Sequence, residues 1–191
     1  MTMTLFEKYK KETIPKMKGK FGYKNDLAVP KIKKIAVNTG VGRLSQQAGF
    51  EDKILPGIMN DLALITGQKP AKTIAKKSIA GFKTRIGQTI GLKITLRRKK
   101  MYDFLEKFIR AVLPRVKDFR GIDIKNVDGK GNLTIGVKEH VVFPEISAEI
   151  VKFDFGLEIS IVNNAKNREE AIELYRLLGI PFKIQKKNSK F

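Results

Sequence analysis

The eight residues GLKITLRR (Gly91–Arg98) alternate strictly: Leu92, Ile94 and Leu96 are apolar, and Lys93, Thr95 and Arg97 between them are polar. Successive side chains leave a β-strand on opposite faces, so the stretch reads as a strand with one face on a core and the other open. The pattern recurs. VPKIKKIAVNTGVG (Val29–Gly42) sets Ile35 and Val37 against Lys34, Ala36 and Asn38 after Pro30. NLTIGVK (Asn132–Lys138) carries Leu133, Ile135 and Val137 on one face, and GLEISIV (Gly156–Val162) carries Leu157, Ile159 and Ile161. Four half-buried strands of this kind fit one mainly antiparallel sheet.

Between them the apolar spacing changes to that of helices. Residues 50–66 place Phe50, Ile54, Ile58, Leu62 and Ile65 on one helical face, with Gly67 at the C-cap and Pro56-Gly57 as an interruption. Residues 99–113 place Tyr102, Leu105, Phe108 or Ile109, and Val112 together and stop near Pro114. A short basic helix is predicted over residues 4–18 with Leu5, Tyr9 and Ile14 inward, its end frayed by Pro15 and Gly19. The last helix has Asn167 as N-cap, Glu170 three residues on, and Ile172, Leu174, Tyr175 and Leu178 inward; Gly179 and Pro181 end it. The expected fold class is α+β: a mainly antiparallel sheet, helices on one face, the other face open. That open face carries Lys34, Asn38, Lys93, Thr95, Arg97, Thr134 and Lys138. An ordinary solvated face is the plain alternative, but such a face mixes both charge signs, and acidic members are few here.

Composition points the same way. The chain of 191 residues has 39 Lys+Arg against 19 Asp+Glu, a net charge of +20. So large an excess opposes folding by self-repulsion and calls for a polyanionic partner, nucleic acid first and an anionic membrane surface second. With 42% hydrophobic residues the chain can bury a core. It has no cysteine and one histidine, His140, which excludes a disulfide framework and a zinc site of several Cys or His ligands. No apolar run approaches the roughly 20 residues of a membrane span, and MTMTLFEKYKKE has no signal-peptide core, so an intracellular protein is expected.

Motifs for catalysis do not assemble. GVGRLS (Gly40–Ser45) follows a strand and has Asp61 some way on, like a dinucleotide fingerprint. Ser45 stands where the third glycine belongs, and no βαβ alternation surrounds it; a tight turn with close backbone approach is the better reading. GKGN (Gly129–Asn132) lacks the P-loop spacing and reads as a turn. Glu139 beside His140 imitates an acid–base pair, but neighbours on a strand face opposite ways, and His140 reads as structural. No enzyme activity, cofactor or metal is expected.

TIAKKSIAGFKTRIGQTIG (Thr73–Gly91) is different: Lys76, Lys77, Lys83 and Arg85, three glycines, and no acid. It is long for a connection and lacks a clean period, as functional loops do. Cations neutralise phosphates, glycines admit close approach to a sugar–phosphate chain, and Phe82 offers a ring to an exposed base. The alternative is that Ile79, Phe82 and Ile86 pin a solvated loop to the body.

Several of these blocks together resemble one family. VPKIKKIAVNTGVG, ITGQKPAKTIAKKSIAGFKTRIGQTIGLKITLRR, KDFRGIDIKNVDGKGNLTIGVKEHVVFPEI and LLGIPF are similar, in order and over nearly the whole chain, to the bacterial fifth protein of the large ribosomal subunit. The resemblance implies a non-catalytic ribosomal protein, cytoplasmic and ribosome-bound, with no membrane partner. It implies binding of 5S rRNA and its attachment in the central protuberance, and beside it 23S rRNA and other proteins of the protuberance. It implies contact with P-site tRNA through the basic loop, and a bridge to a protein of the small-subunit head. The 5S-facing residues implied are Asn38, Thr39, Gln68, Lys93, Thr95 and Arg97. The tRNA-facing residues implied are Lys76, Lys77, Ser78, Ala80, Gly81 and Phe82, and those of the bridge Phe119, Arg120, Gly121, Asp128, Gly129 and Asn132. The chain departs from the family's common pattern at Val127, His140, Asn163-Asn164 and Pro56-Gly57. One domain over 1–191 is expected, with a projecting loop at 73–91 and a disordered basic tail at 185–191. The rival reading is a nucleic-acid-binding protein without preference for 5S rRNA.

Overall fold

The computed structural model describes residues 3–147, 149 and 153–183; the expected tail at 185–191 lies outside them. Five strands form one antiparallel sheet: β1 Ile32–Gly40, β2 Ala71–Ile74, β3 Thr89–Leu96, β4 Leu133–Val137 and β5 Leu157–Asn163. Their spatial order is β2-β3-β1-β5-β4, so the strictly alternating strand β3 lies next to the central β1. The apolar face is covered as expected: Ile35 and Val37 of β1, Leu92, Ile94 and Leu96 of β3, Leu133 of β4 and Ile159 and Ile161 of β5 are all buried in a single core.

Four helices lie against that core: α1 over residues 5–21, α2 over 50–66, α3 over 98–112 and α4 Arg168–Leu178. The three prolines that looked like helix breakers share one solution. A π turn at Tyr9–Thr13 precedes Pro15, one at Phe50–Ile54 precedes Pro56, and one at Phe108–Val112 precedes Pro114. In each, the residue just before the proline donates its amide five residues back: Ile14 to Tyr9, Leu55 to Phe50 and Leu113 to Phe108. A proline ring clashes with the carbonyl four residues before it and brings no N–H of its own. One widened turn relieves the clash and lets the helix continue through Pro15 and Pro56. The extra residue also shifts the phase of α1. Leu5 and Tyr9 are buried as expected, but the following inward places go to Thr13 and Met17, and Ile14 is half-buried.

At the start of α4, Asn167 occupies the N-cap without a side-chain hydrogen bond, and Glu170 reaches back to accept from the Lys166 amide. His140 is fully buried, stacked on Phe155 at 4.0 Å between centroids. Its partners are not Glu139 but Asp154, 3.2 Å from Nδ1, and Asp61, 3.8 Å from Nε2. Burial pushes the Asp61 carboxyl up, against the opposing pull of His140. Asp61 of α2 thus faces the segment before β5 at ion-pair distance, beyond hydrogen-bond reach.

Candidate nucleic-acid interface

The register of the sheet fixes what its open face presents. Asn38 of β1 pairs with Lys93 of β3 on one side and Glu158 of β5 on the other, and Lys93 pairs in turn with Ala71. The next row runs Thr95, Ala36, Ser160, Thr134. Neighbours across such rows stand about 5 Å apart at Cβ. Polar groups therefore alternate with Ala36, Ala71 and Gly136, which keep the surface low enough for a nucleic-acid backbone to lie on it. Lys34, Lys93, Arg97 and Lys138 give it positive charge, and Glu158 is its one acidic member among the described residues. Glu158 accepts from Asn38 Nδ2 and from Ser160 Oγ, both at 3.4 Å.

Asn38, Lys93 and Thr95 share this face. Arg97 is exposed just past the end of β3, and Gln68 is exposed three residues before β2 at the same edge. Thr39 does not join them. It is the next residue along β1, so its side chain falls on the covered face; it is 5% exposed and donates its hydroxyl to the Gly156 carbonyl at 2.6 Å. Side-chain contact between Thr39 and an RNA on the open face is excluded by that geometry.

The basic stretch is the tip of the β2–β3 hairpin. Thr73 pairs with Gly91, so the expected loop at 73–91 narrows to residues 75–88. β2 was not foreseen, because all four of its residues are exposed and leave no alternation to read. The tip is internally braced. The Ala75 amide donates to Gln88 O and the Gly87 amide to Ala75 O, both at 2.9 Å; Ile79 and Thr84 form a bridge; and Ser78 Oγ accepts from the Ile86 amide. Ser78 keeps its hydroxyl proton for an outside acceptor. Ile79, Phe82 and Ile86 do not pin the loop down: Phe82 is 71% exposed and Ile86 70%. Lys76, Lys77, Ala80 and Gly81 are exposed as well, and none of the four cations of the tip forms an ion pair among the described residues.

The Gly40–Ser45 turn supports the arm and offers no helix N-terminus to a nucleotide. It leads into a single 3-10 turn, Leu44–Gln46, instead of a helix. Gln46 Nε2 donates to Phe82 O at 3.2 Å, and Gln88 Nε2 donates to Ser45 Oγ at 2.8 Å. Between turn and arm opens a cleft of about 1000 Å³ lined by Arg43, Lys76, Lys77 and Lys83. The close approach expected of the turn's glycines occurs instead at Gly91, where a Cβ would stand 3.1 Å from Thr39 O. Sequence reasoning missed Ser45, Gln46 and Gln88 as supports, since contacts made across about 40 residues leave no local pattern.

The remaining candidates fall in two places. Asp128 and Asn132 close a turn before β4: Asp128 accepts from the Asn132 amide at 2.7 Å and from Asn132 Nδ2 at 2.9 Å. Burial raises the Asp128 carboxyl, but those two bonds and the Lys130 amide and charge outweigh it, and the net shift is downward. The turn is fastened to α4 through Gly131, whose carbonyl accepts from Tyr175 OH at 2.9 Å and from Asn163 Nδ2. Gly129 is open to solvent. Gly121, at φ +96, has Lys183 N 2.8 Å from where a Cβ would be, so its place is structural; Arg120 is exposed and Phe119 half-buried on the core. One turn sits by the first turn of α4, the other beyond its end, about 16 Å apart along a helix of this length.

Two sequence profiles match the chain: ribosomal protein L5 over residues 25–85 and the ribosomal L5P family C-terminus over residues 89–182. A large ribosomal subunit protein uL5 from Halothermothrix orenii is 50% identical over 178 residues, covering 93% of this chain and 97% of that protein. The uL5 of Clostridium tetani is 50% identical over 182 residues, covering 95% and 99%. That of Desulforapulum autotrophicum is 51% identical over 180 residues, covering 94% and 98%.

Proposed function

The chain belongs to the ribosomal L5 family, a structural and non-catalytic constituent of the large ribosomal subunit acting on the cytoplasmic ribosome, and from that premise we propose that it holds 5S rRNA on the open face of its sheet. Asn38, Thr95 and Gln68 make directional hydrogen bonds there, and Lys93 and Arg97 meet phosphates. The braced arm, through Lys76, Lys77, Ser78, Ala80, Gly81 and Phe82, reaches P-site tRNA. The turn Asp128–Asn132, with Arg120 as a separate outlier, faces the small-subunit head. 23S rRNA and other proteins of the central protuberance complete the surroundings.

The observation that carries this reading is the row Lys93, Asn38, Glu158, with its neighbour row of hydroxyls. Hydrogen-bonding groups in fixed register on a stiff sheet suit one shaped RNA better than any polyanion. The test is binding of 5S rRNA against another structured RNA of equal length across a range of salt. Thr95→Ala costs roughly 1–3 kcal/mol for 5S rRNA alone if it leaves an RNA group unsatisfied. Lys93→Ala lowers the salt slope by about one for both RNAs. Equal affinity for the two RNAs returns the protein to the rival reading of a non-specific binder.

A further inference from the structure

Helices α1 and α3 leave between them a surface that none of the assignments above uses. Phe6 lies against Tyr102, ring centroids 5.1 Å apart, and under the Lys10 ammonium at 4.5 Å. Phe6 is 43% exposed, and Leu27, at 79%, is the most exposed large apolar side chain among the described residues. Leu27 is held outward: its amide donates to Asn25 Oδ1 at 2.9 Å in a short capped turn, and Val29 just after it is fully buried. Two adjoining hollows of about 410 and 440 Å³ share Phe6, Arg98 and Tyr102 as walls.

The charge around the hollows has one sign. Lys10, Lys31, Lys33, Arg98 and Lys99 line them, all exposed and none in an ion pair among the described residues. Of the acidic groups beside them, Asp26 is taken by Lys18 at 2.7 Å and Glu106 by Arg110 at 2.7 Å, leaving Asp103. Arg98 stands at φ +52, a region a side-chain-bearing residue enters at a cost, and it walls both hollows. Lys33 adjoins Lys34, and Arg98 adjoins Arg97, so the basic surface continues from the open face around the ends of β1 and β3.

We infer that this surface seats an unpaired stretch of RNA, separate from the RNA on the open face. Phosphates lie on Lys10, Lys31, Lys33 and Arg98, and an unstacked base enters the hollow beside Phe6 and Leu27. Each hollow falls within the range of a small-ligand site. Five cations against one free carboxylate match a polyanion, and apolar side chains held out between cations match the bases of a single strand. The inference takes the ribosomal setting of the proposed function as given but does not need the open-face residues.

The test uses the full chain already saturated with 5S rRNA and a fluorescent oligouridine of about twelve nucleotides, followed by anisotropy at several salt concentrations. The oligonucleotide binds the complex. Lys31→Ala with Lys33→Ala lowers its salt slope by about 1.4, two single-strand phosphate contacts, and weakens it roughly twenty-five-fold at about 0.1 M salt. Leu27→Ser, a change at an exposed site, weakens it about threefold to tenfold with the slope unchanged. Neither variant shifts 5S affinity. Oligonucleotide binding that is absent from the complex, or indifferent to both variants, overturns the inference and leaves a protein as occupant. Variants that weaken 5S rRNA equally make the surface part of the open-face site, which also overturns it. If 5S rRNA fails to bind the wild type, it is the proposed function that falls, and the same titrations on the free chain decide the inference alone.

Discussion

Removing Lys76 and Lys77 together tests whether the arm and the open face meet different RNAs. Both side chains are exposed and free of ion pairs among the described residues, and the arm is braced by backbone bonds and by Ser78, Gln46 and Gln88. Truncating both to alanine therefore leaves the hairpin standing and removes charge alone. Each phosphate contact adds about 0.8 to the slope of log affinity against log salt, so two add about 1.6. Extrapolated from about 1 M salt, where such contacts are spent, to about 0.1 M, the pair supplies roughly fortyfold, or about 2 kcal/mol. Ribosomes reassembled with the double variant should release P-site tRNA faster by up to that factor at low salt. The difference should close as salt rises. Filter binding of 5S rRNA to the same protein should change by less than about threefold, since the tip lies beyond the rows that face it. Collapse of 5S binding with unchanged tRNA release would refute the division of labour and move the arm into the 5S site.

Three further outcomes follow from particular residues. Glu158→Gln removes the open face's acidic group; a charge roughly 8 Å from a phosphate is worth about 0.5 kcal/mol in water, so 5S affinity should rise about twofold to threefold at low salt and not at high salt. Weaker binding would instead mean that Glu158 orients Asn38 and Ser160. Gly131→Ala places a Cβ 2.6 Å from that of Ala171 at φ +82, and urea unfolding should register a loss of roughly 2–4 kcal/mol; an unmoved midpoint would show that α4 yields freely. Asp128 has its carboxyl pKa lowered in the folded protein, so its contribution to stability is present above the unfolded value near 4 and is lost as pH falls through the lower folded value. The gap in melting temperature between wild type and Asp128→Asn should be constant from about pH 7 to 5 and close as pH falls through the lowered folded value; a gap that does not change as the carboxyl titrates assigns the turn's strength to shape alone.

What could be read from the sequence, and what could not, divides by range. Four strands were legible because burial on one face writes a period of two into β1, β3, β4 and β5. The edge strand β2 has no buried face and so wrote nothing. The helices were legible in their existence, but the phase of α1 was not: Thr13 and Met17 take the inward places expected for Ile14, because the widened turn before Pro15 is set by backbone sterics. Within the site the same limit holds. Asn38, Lys93 and Thr95 could be put on one face by parity alone, and parity also removes Thr39, which resemblance had placed beside them. The supports of the arm, Ser45, Gln46 and Gln88, depend on how two turns meet in space.

The arrangement itself bears on how the proposed surfaces work together. The arm leaves the sheet at the start of β3, and the Asp128–Asn132 turn enters it at the start of β4, which lies at the opposite end and the opposite edge. A strand the length of β3 spans about 27 Å, and the antiparallel ladder between these corners has little freedom to bend. Thr95 itself lies six residues along β3 from where the arm leaves, about 20 Å, and groups more than about 10 Å apart with no shared partner contribute additively. Losses from the arm variant and from Thr95→Ala should therefore sum in the assembled ribosome. A loss larger than the sum would have to travel through β3, whose one close backbone approach on that path is Gly91 against Thr39.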